Sequence, residues 1–136
     1  MLVALGLYDT RTGLIIAFTT ITISFSAWML NGFIDTVPTE LDEAAMVDGC
    51  SRLRVFFSVI FPTIAPGTVA TVIFAFLLAW EDLSWCLSLT TSEPVATITS
   101  GLTRLVTQFG IIWPELMAGS VIGAMPPMAF YLLLQN

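Results

Sequence analysis

Glu43-Ala44-Ala45-Met46-Val47-Asp48-Gly49, then a mixed segment, then Val59-Ile60-Phe61-Pro62: this stretch decides how the chain is organised. It belongs to a polar island with seven charges between Asp35 and Arg54. On either side stands an uncharged run of 22 residues, Gly13 to Ile34 and Val59 to Trp80. Each is long enough to cross a hydrocarbon core of about 30 Å. A charged, structured loop between two spans must meet something in water. The pattern points to a membrane subunit that takes force or information from a soluble partner.

Composition agrees. The 136 residues are 57% hydrophobic and 10% charged, with mean hydropathy +0.92. A soluble domain carries roughly 25% charged residues, and one this short needs a polar surface. There is no Lys and no His, so the commonest general base and the commonest zinc ligand are absent. A net charge of −6, with no basic patch for phosphates, argues against nucleic acid as a partner. Cys50 and Cys86 flank the second run and are predicted to lie about 30 Å apart, too far to pair. Met1 to Leu7 has no basic region and no cleavage site of the signal-peptide kind.

The first run carries Thr22, Ser24 and Ser26, a mildly polar face suited to meeting other helices. Pro62 and Pro66 sit in the first two turns of the second, and Pro66 is expected to bend the entry. Leu116 to Leu134 is a third run, of 19 residues, with Pro126-Pro127 in mid-span. Such prolines are tolerated where neighbours re-satisfy the freed carbonyls. Gly119, Ser120 and Gly123 predict close helix packing on one face. Leu83 to Leu89 is too short to cross and is expected to dip into the membrane or cap the bundle. Ser92-Glu93-Pro94 reads as a turn, and Gly101 to Gly110 alternates apolar and polar residues around Arg104 and Gln108. Arg11 and Arg104 on one side against Arg52 and Arg54 on the other leave the orientation undecided by charge.

Within the island, Thr39 is placed to N-cap a helix, with Asp42 three residues on and Pro38 before it. Gly49 is placed as the helix stop, where a positive φ is needed. Ser51 then caps a second short helix through Phe61. The residues alone leave open an ordinary interfacial hairpin or a docking element.

The order Glu43-Ala44-Ala45, three residues, Gly49, nine residues, Val59-Ile60-Phe61-Pro62 resembles the EAA signature of permease subunits of binding-protein-dependent ABC importers. The family has Ile and Leu where this chain has Val59 and Phe61. Trp28-Met29-Leu30-Asn31-Gly32-Phe33, Met46-Val47-Asp48-Gly49 and Trp80-Glu81-Asp82-Leu83 resemble the carbohydrate-uptake branch, of the maltose-transporter type. Glu81 stands where Asn is usual there, and Asp82 where Glu is usual. Trp113 to Gln135 resembles the last helix of that branch. The likeness covers almost the whole chain, but only the C-terminal half of such a permease.

The resemblance implies an all-α membrane protein: one permease domain over residues 1–136, with spans at about 13–34, 59–80 and 116–134. It further implies a cytoplasmic EAA loop at 35–61, an extracytoplasmic loop at 81–115, and a multi-pass place in a bacterial or archaeal cytoplasmic (inner) membrane. Three spans ending beside Asn136 fit a fragment of a six-span permease, or a truncated reading frame. By match, Glu43, Ala44, Ala45, Asp48, Gly49 and Pro62 would dock an ATPase, with Glu43 pairing a basic residue. Trp80, Glu81, Asp82 and Trp85 would border a substrate path for a sugar or oligosaccharide, against the plainer reading of an interfacial aromatic belt. Thr103, Gln108, Phe109 and Gly110 would meet a solute-binding protein. The implied assembly has a second permease, two ABC ATPase subunits, an extracytoplasmic binding protein and lipid around it. ATP and Mg²⁺ would belong to the partners, because this chain has no GxxxxGK[ST] loop. A permease for a non-sugar solute such as glycerol phosphate or a polyol, and a stand-alone small membrane protein, are the competing readings. An enzyme is disfavoured, since no nucleophile–base pair or metal-ligand cluster stands out.

Overall fold

Helix α1 (Arg11–Ile34) takes up the whole first run. Its apolar side chains surround the axis instead of forming one stripe, as befits a helix in an apolar solvent. The hydroxyls of Thr19, Thr20 and Thr22 donate to the carbonyls of Ile15, Ile16 and Phe18 on the same helix, at 2.6, 2.9 and 2.9 Å. These polar groups therefore need no water. The computed structural model describes residues 6–91, 95–107 and 110–134. The predicted turn at Ser92-Glu93-Pro94 lies outside them.

The second run is not one straight helix. After α2 (Thr39–Val47) come α3 (Arg52–Val55), a π-helical turn (Phe56–Ile60), α4 (Phe61–Thr63) and α5 (Ala65–Glu81). The axis bends by 72° between Arg52–Thr63 and Ala65–Glu81. Proline explains both irregularities. Pro62 has no N–H for the carbonyl of Ser58, and its ring crowds that carbonyl. Widening to a π turn, with the Phe61 N–H donating to the Phe56 carbonyl, relieves the crowding. Pro66 repeats the problem one turn later, and Ile64 leaves the helical region there, at φ −90° and ψ 4°. The expected bend at Pro66 is present, and the run 59–80 lies within this bent pair. The straight part, α5, has 17 residues, about 25 Å long.

Beyond α5 follow α6 (Ser84–Leu89) and α7 (Ile98–Thr103). A two-residue antiparallel pair comes next, β1 (Val106–Thr107) with β2 (Gly110–Ile111), in which Val106 faces Ile111 and Thr107 faces Gly110. Helix α8 (Trp113–Leu134) closes the chain, beginning three residues before the predicted span. The molecule is all-α apart from that β pair among the described residues. Helices α1 and α8 are each long and apolar enough to cross a membrane, and the bent pair makes a third if taken as one span.

The chain divides into two units. In Ile23–Ala75, Val55, Ile64, Thr71 and Ile73 are buried. Gly67 is bare because the ring of Phe33 occupies the place a Cβ would take. In Met1–Thr22 with Phe76–Asn136, Leu14 and Ala17 of α1 meet Cys86 and Leu89 of α6, with Phe18 and Val95 beside them. The Leu83–Leu89 segment thus forms a short helix packed on α1. A backbone bond from the Asp9 N–H to the Leu89 carbonyl (2.9 Å) and one from the Thr91 N–H to Asp9 Oδ1 (2.9 Å) fasten the turn before α1 to the end of α6.

Candidate functional site

The acidic hairpin is built from backbone signals. Val37 precedes a proline and is biased to extended backbone. Pro38, at φ −60° and ψ 133°, is the N-cap residue, so Thr39 is the first helical residue and not the cap. No side chain caps this end, and the expected Thr39–Asp42 capping box is absent. Likewise Ser51 stands at the N-cap of α3 with no side-chain cap bond. Glu40 and Asp42 lie in the first turn of α2, where the helix dipole favours negative charge.

The far end of α2 is closed by a Schellman turn. The Gly49 N–H donates to the Met46 carbonyl at 3.0 Å, and the Cys50 N–H to the Ala45 carbonyl at 3.1 Å. Gly49 has φ +82°, as the sequence led one to expect. No residue of α2 is buried; Glu43, Ala44, Asp48 and Gly49 are exposed and Ala45 is half-buried. Val47 is 87% and Leu53 75% exposed, so the hairpin offers apolar as well as acidic surface. Five carboxylates against two arginines between Asp35 and Arg54 suit a basic counter-surface. Pro62 lies outside α2, in α4 directly after the π turn.

The second candidate cluster is dispersed. Trp80 alone of its four members lines a half-open cavity of about 420 Å³, together with Phe18, Phe76, Ala79 and the segment Ala96 to Thr99. Its indole N–H donates to the Gly123 carbonyl of α8 at 3.1 Å. Glu81 is the exposed last residue of α5. Asp82 Oδ1 accepts from the Trp85 N–H at 2.9 Å and so steadies the start of α6, while Trp85 is exposed. Thr97 Oγ1 donates to Cys86 Sγ and accepts from the Ser100 N–H, both at 3.3 Å, and Thr99 Oγ1 donates to the Trp80 carbonyl at 3.0 Å. The polar groups around the cavity already have protein partners, and its walls are mainly apolar.

Cys86 is fully buried, and its S–H donates to Ser100 Oγ at 3.3 Å. Burial pushes this thiol's pKa up, but hydrogen bonds with Ser100, Thr97 and Thr90 outweigh burial and hold it below the usual value. Sequence reasoning considered Cys86 only as a partner for Cys50. Its neighbours Thr90, Thr97 and Ser100 were the available signal.

In the third cluster, Thr103 ends α7 and donates to the Ser100 carbonyl at 2.7 Å. Gly110 opens β2 at φ +143°. Gln108 and Phe109 lie outside the described residues. Among the described residues, this segment holds the end of α7 and enters the short β pair.

Comparison with known proteins adds one family match and three similar relatives. Residues 1–136 match the family model described as binding-protein-dependent transport system inner membrane component. The chain is 35% identical over 133 residues to the inner membrane ABC transporter permease protein YcjP of Escherichia coli, covering 98% of this chain and 48% of that protein. It is 33% identical over 135 residues to the trehalose transport system permease protein SugB of Mycobacterium tuberculosis, covering 98% of this chain and 49% of that protein. It is 33% identical over 133 residues to the trehalose/maltose transport system permease protein MalG of Thermococcus litoralis, covering 97% and 48%. The chain thus spans about half the length of these curated relatives.

Proposed function

This chain belongs to the binding-protein-dependent transport system inner membrane components, and from that premise we propose that it works as a permease subunit of an ATP-driven importer for a sugar or oligosaccharide. The observation that carries the reading is the α2 hairpin. It buries none of its residues, is acidic, is closed by backbone geometry at Gly49, and is set between apolar helices long enough to line a membrane path. Such an element has no core of its own to build, and its surface serves a partner. Relatives named for trehalose and for trehalose/maltose support the sugar class.

In this reading Glu43 pairs a basic residue of an ATPase subunit, Ala44 and Ala45 allow close approach, and Gly49 holds the turn. A second permease, a second ATPase and an extracytoplasmic binding protein complete the assembly. ATP and Mg²⁺ are held by the ATPases. Closure of the ATPases displaces the docked hairpin, and the helices joined to it pass between two arrangements, each favoured by a different nucleotide state.

The test is purification of the chain from native membranes in mild detergent, with mass spectrometry of what accompanies it, repeated with Glu43→Ala. An ATPase subunit recovered with the parent chain and lost or weakened with the variant is the expected result. Undiminished recovery with Glu43→Ala, or no ATPase with either, overturns the docking role.

A further inference from the structure

An α-helical carbonyl normally accepts from the N–H four residues on. For Gly123 that residue is Pro127, which has no N–H to give. Within an apolar solvent the carbonyl must find another donor. It finds the indole of Trp80, at 3.1 Å, from the last turn of α5. Trp80 engages a third element through its own backbone. Its carbonyl is one of the last four of α5, which have no partner inside the helix, and it accepts from Thr99 Oγ1 of α7 at 3.0 Å.

Packing brackets the same point. Phe76, one turn before Trp80, stacks near it with ring centroids 5.4 Å apart, and meets Phe130 of α8 at 4.3 Å. Gly123 and Phe130 lie on opposite sides of the Pro126–Pro127 pair. Helix α7 rests on the glycine edge of α8. Ile98 and Leu102 sit where Gly123 and Gly119 would carry a Cβ, at 3.2 and 2.5 Å. Helix α5 therefore grips α8 both before and after its weakest point.

We propose that Trp80 is a positioning residue for the transport cycle: by taking the role of the N–H that Pro127 lacks, its indole ties the end of α5 to the proline break of α8, so that the two helices are displaced together. The proposal rests on the transport reading above. Helix α5 follows the hairpin in the chain, so a tie at its far end hands displacement on to α8 at the place where α8 yields most easily. An indole that merely marked a membrane border would have no need of a backbone acceptor orphaned by proline.

The experiment uses the chain assembled with its partner subunits in lipid nanodiscs, with Cys50→Ser and nitroxide labels on Leu78→Cys and Ile122→Cys, both exposed positions. Distance distributions are measured without nucleotide and after trapping with ATP and vanadate. The parent should give one narrow distance, the same in both conditions. Trp80→Phe keeps a ring but no donor, and should broaden the distribution and make it differ between conditions. Pro127→Ala restores a local donor to Gly123 and should loosen the tie to a similar extent. The double change should do no more than either single one, because both remove the same bond. ATP-driven uptake of labelled trehalose should fall about fivefold with Trp80→Phe at equal amounts of complex, the effect of one lost hydrogen bond. Unchanged distances with Trp80→Phe, additive effects of the two changes, or unchanged uptake would each overturn the proposal. Absence of ATP-driven trehalose uptake by the parent would instead remove trehalose as the cargo, and the distances would still decide whether the tie exists.

Discussion

Replacing Gly49 by Ala isolates what the turn of the hairpin contributes. Gly49 sits at φ +82°, and a Cβ there would meet nothing within 4 Å. Steric collision is thus absent, and the cost is purely conformational. Placing an L-residue in the left-handed region costs about 1–2 kcal/mol. Reduced freedom of the unfolded chain returns about 0.4–1 kcal/mol. The net loss of roughly 1 kcal/mol corresponds to about a fivefold rise in the open population of the turn. Hydrogen exchange reads that population directly. In nanodiscs, the amides of residues 49 and 50, which close the Schellman turn, should exchange about fivefold faster in Gly49→Ala. Asn tolerates the left-handed region better, so Gly49→Asn should fall between parent and Ala. Equal exchange in all three chains would refute the claim that backbone conformation holds the hairpin closed.

Two further outcomes follow from packing. Gly67→Ala would drive a Cβ into the ring of Phe33, and should cost about 1–3 kcal/mol. Gly101→Ala in α7 meets open space and should stabilise by roughly 0.5–1 kcal/mol; thermal melting of the purified protein should rank the two on opposite sides of the parent. Cys50 is half-buried and Cys86 fully buried, so a maleimide should modify Cys50 in the folded protein. Cys86 should react only after denaturation, despite its lowered pKa, since a thiolate must be reached to react. Modification of Cys86 at the rate of Cys50 would contradict the packing of α6 on α1.

What could be read from the residues was what depends on neighbours along the chain. The uncharged runs, the helix stop at Gly49 and the bend near Pro66 are all local effects of hydropathy or of a single backbone constraint. The Thr39 cap was misplaced by one residue because Pro38 already supplies the extended backbone that a cap needs. The π turn was missed because it answers a clash four residues downstream, which no periodicity records. The demand of Pro126-Pro127 for an outside donor was foreseeable, and counting back four residues even names Gly123. Its donor, Trp80, is 43 residues away in sequence, and no spacing rule links the two. The substrate-path cluster dispersed for the same reason: adjacency of Trp80, Glu81 and Asp82 in sequence falls where α5 ends and α6 begins, and each side chain goes its own way.

Helix α2 keeps no side chain inside the protein. Its form is set at its two ends, by a proline where it starts and by a left-handed glycine where it stops. The residues in between are thereby released from the duty of folding. They are free to change in step with whatever surface they meet, without endangering the chain that carries them. If the proposed docking role holds, transplanting the seven positions Glu40 to Met46 from a related chain, with Pro38 and Gly49 left in place, should change which ATPase is recovered with the chain while leaving its membrane insertion unchanged.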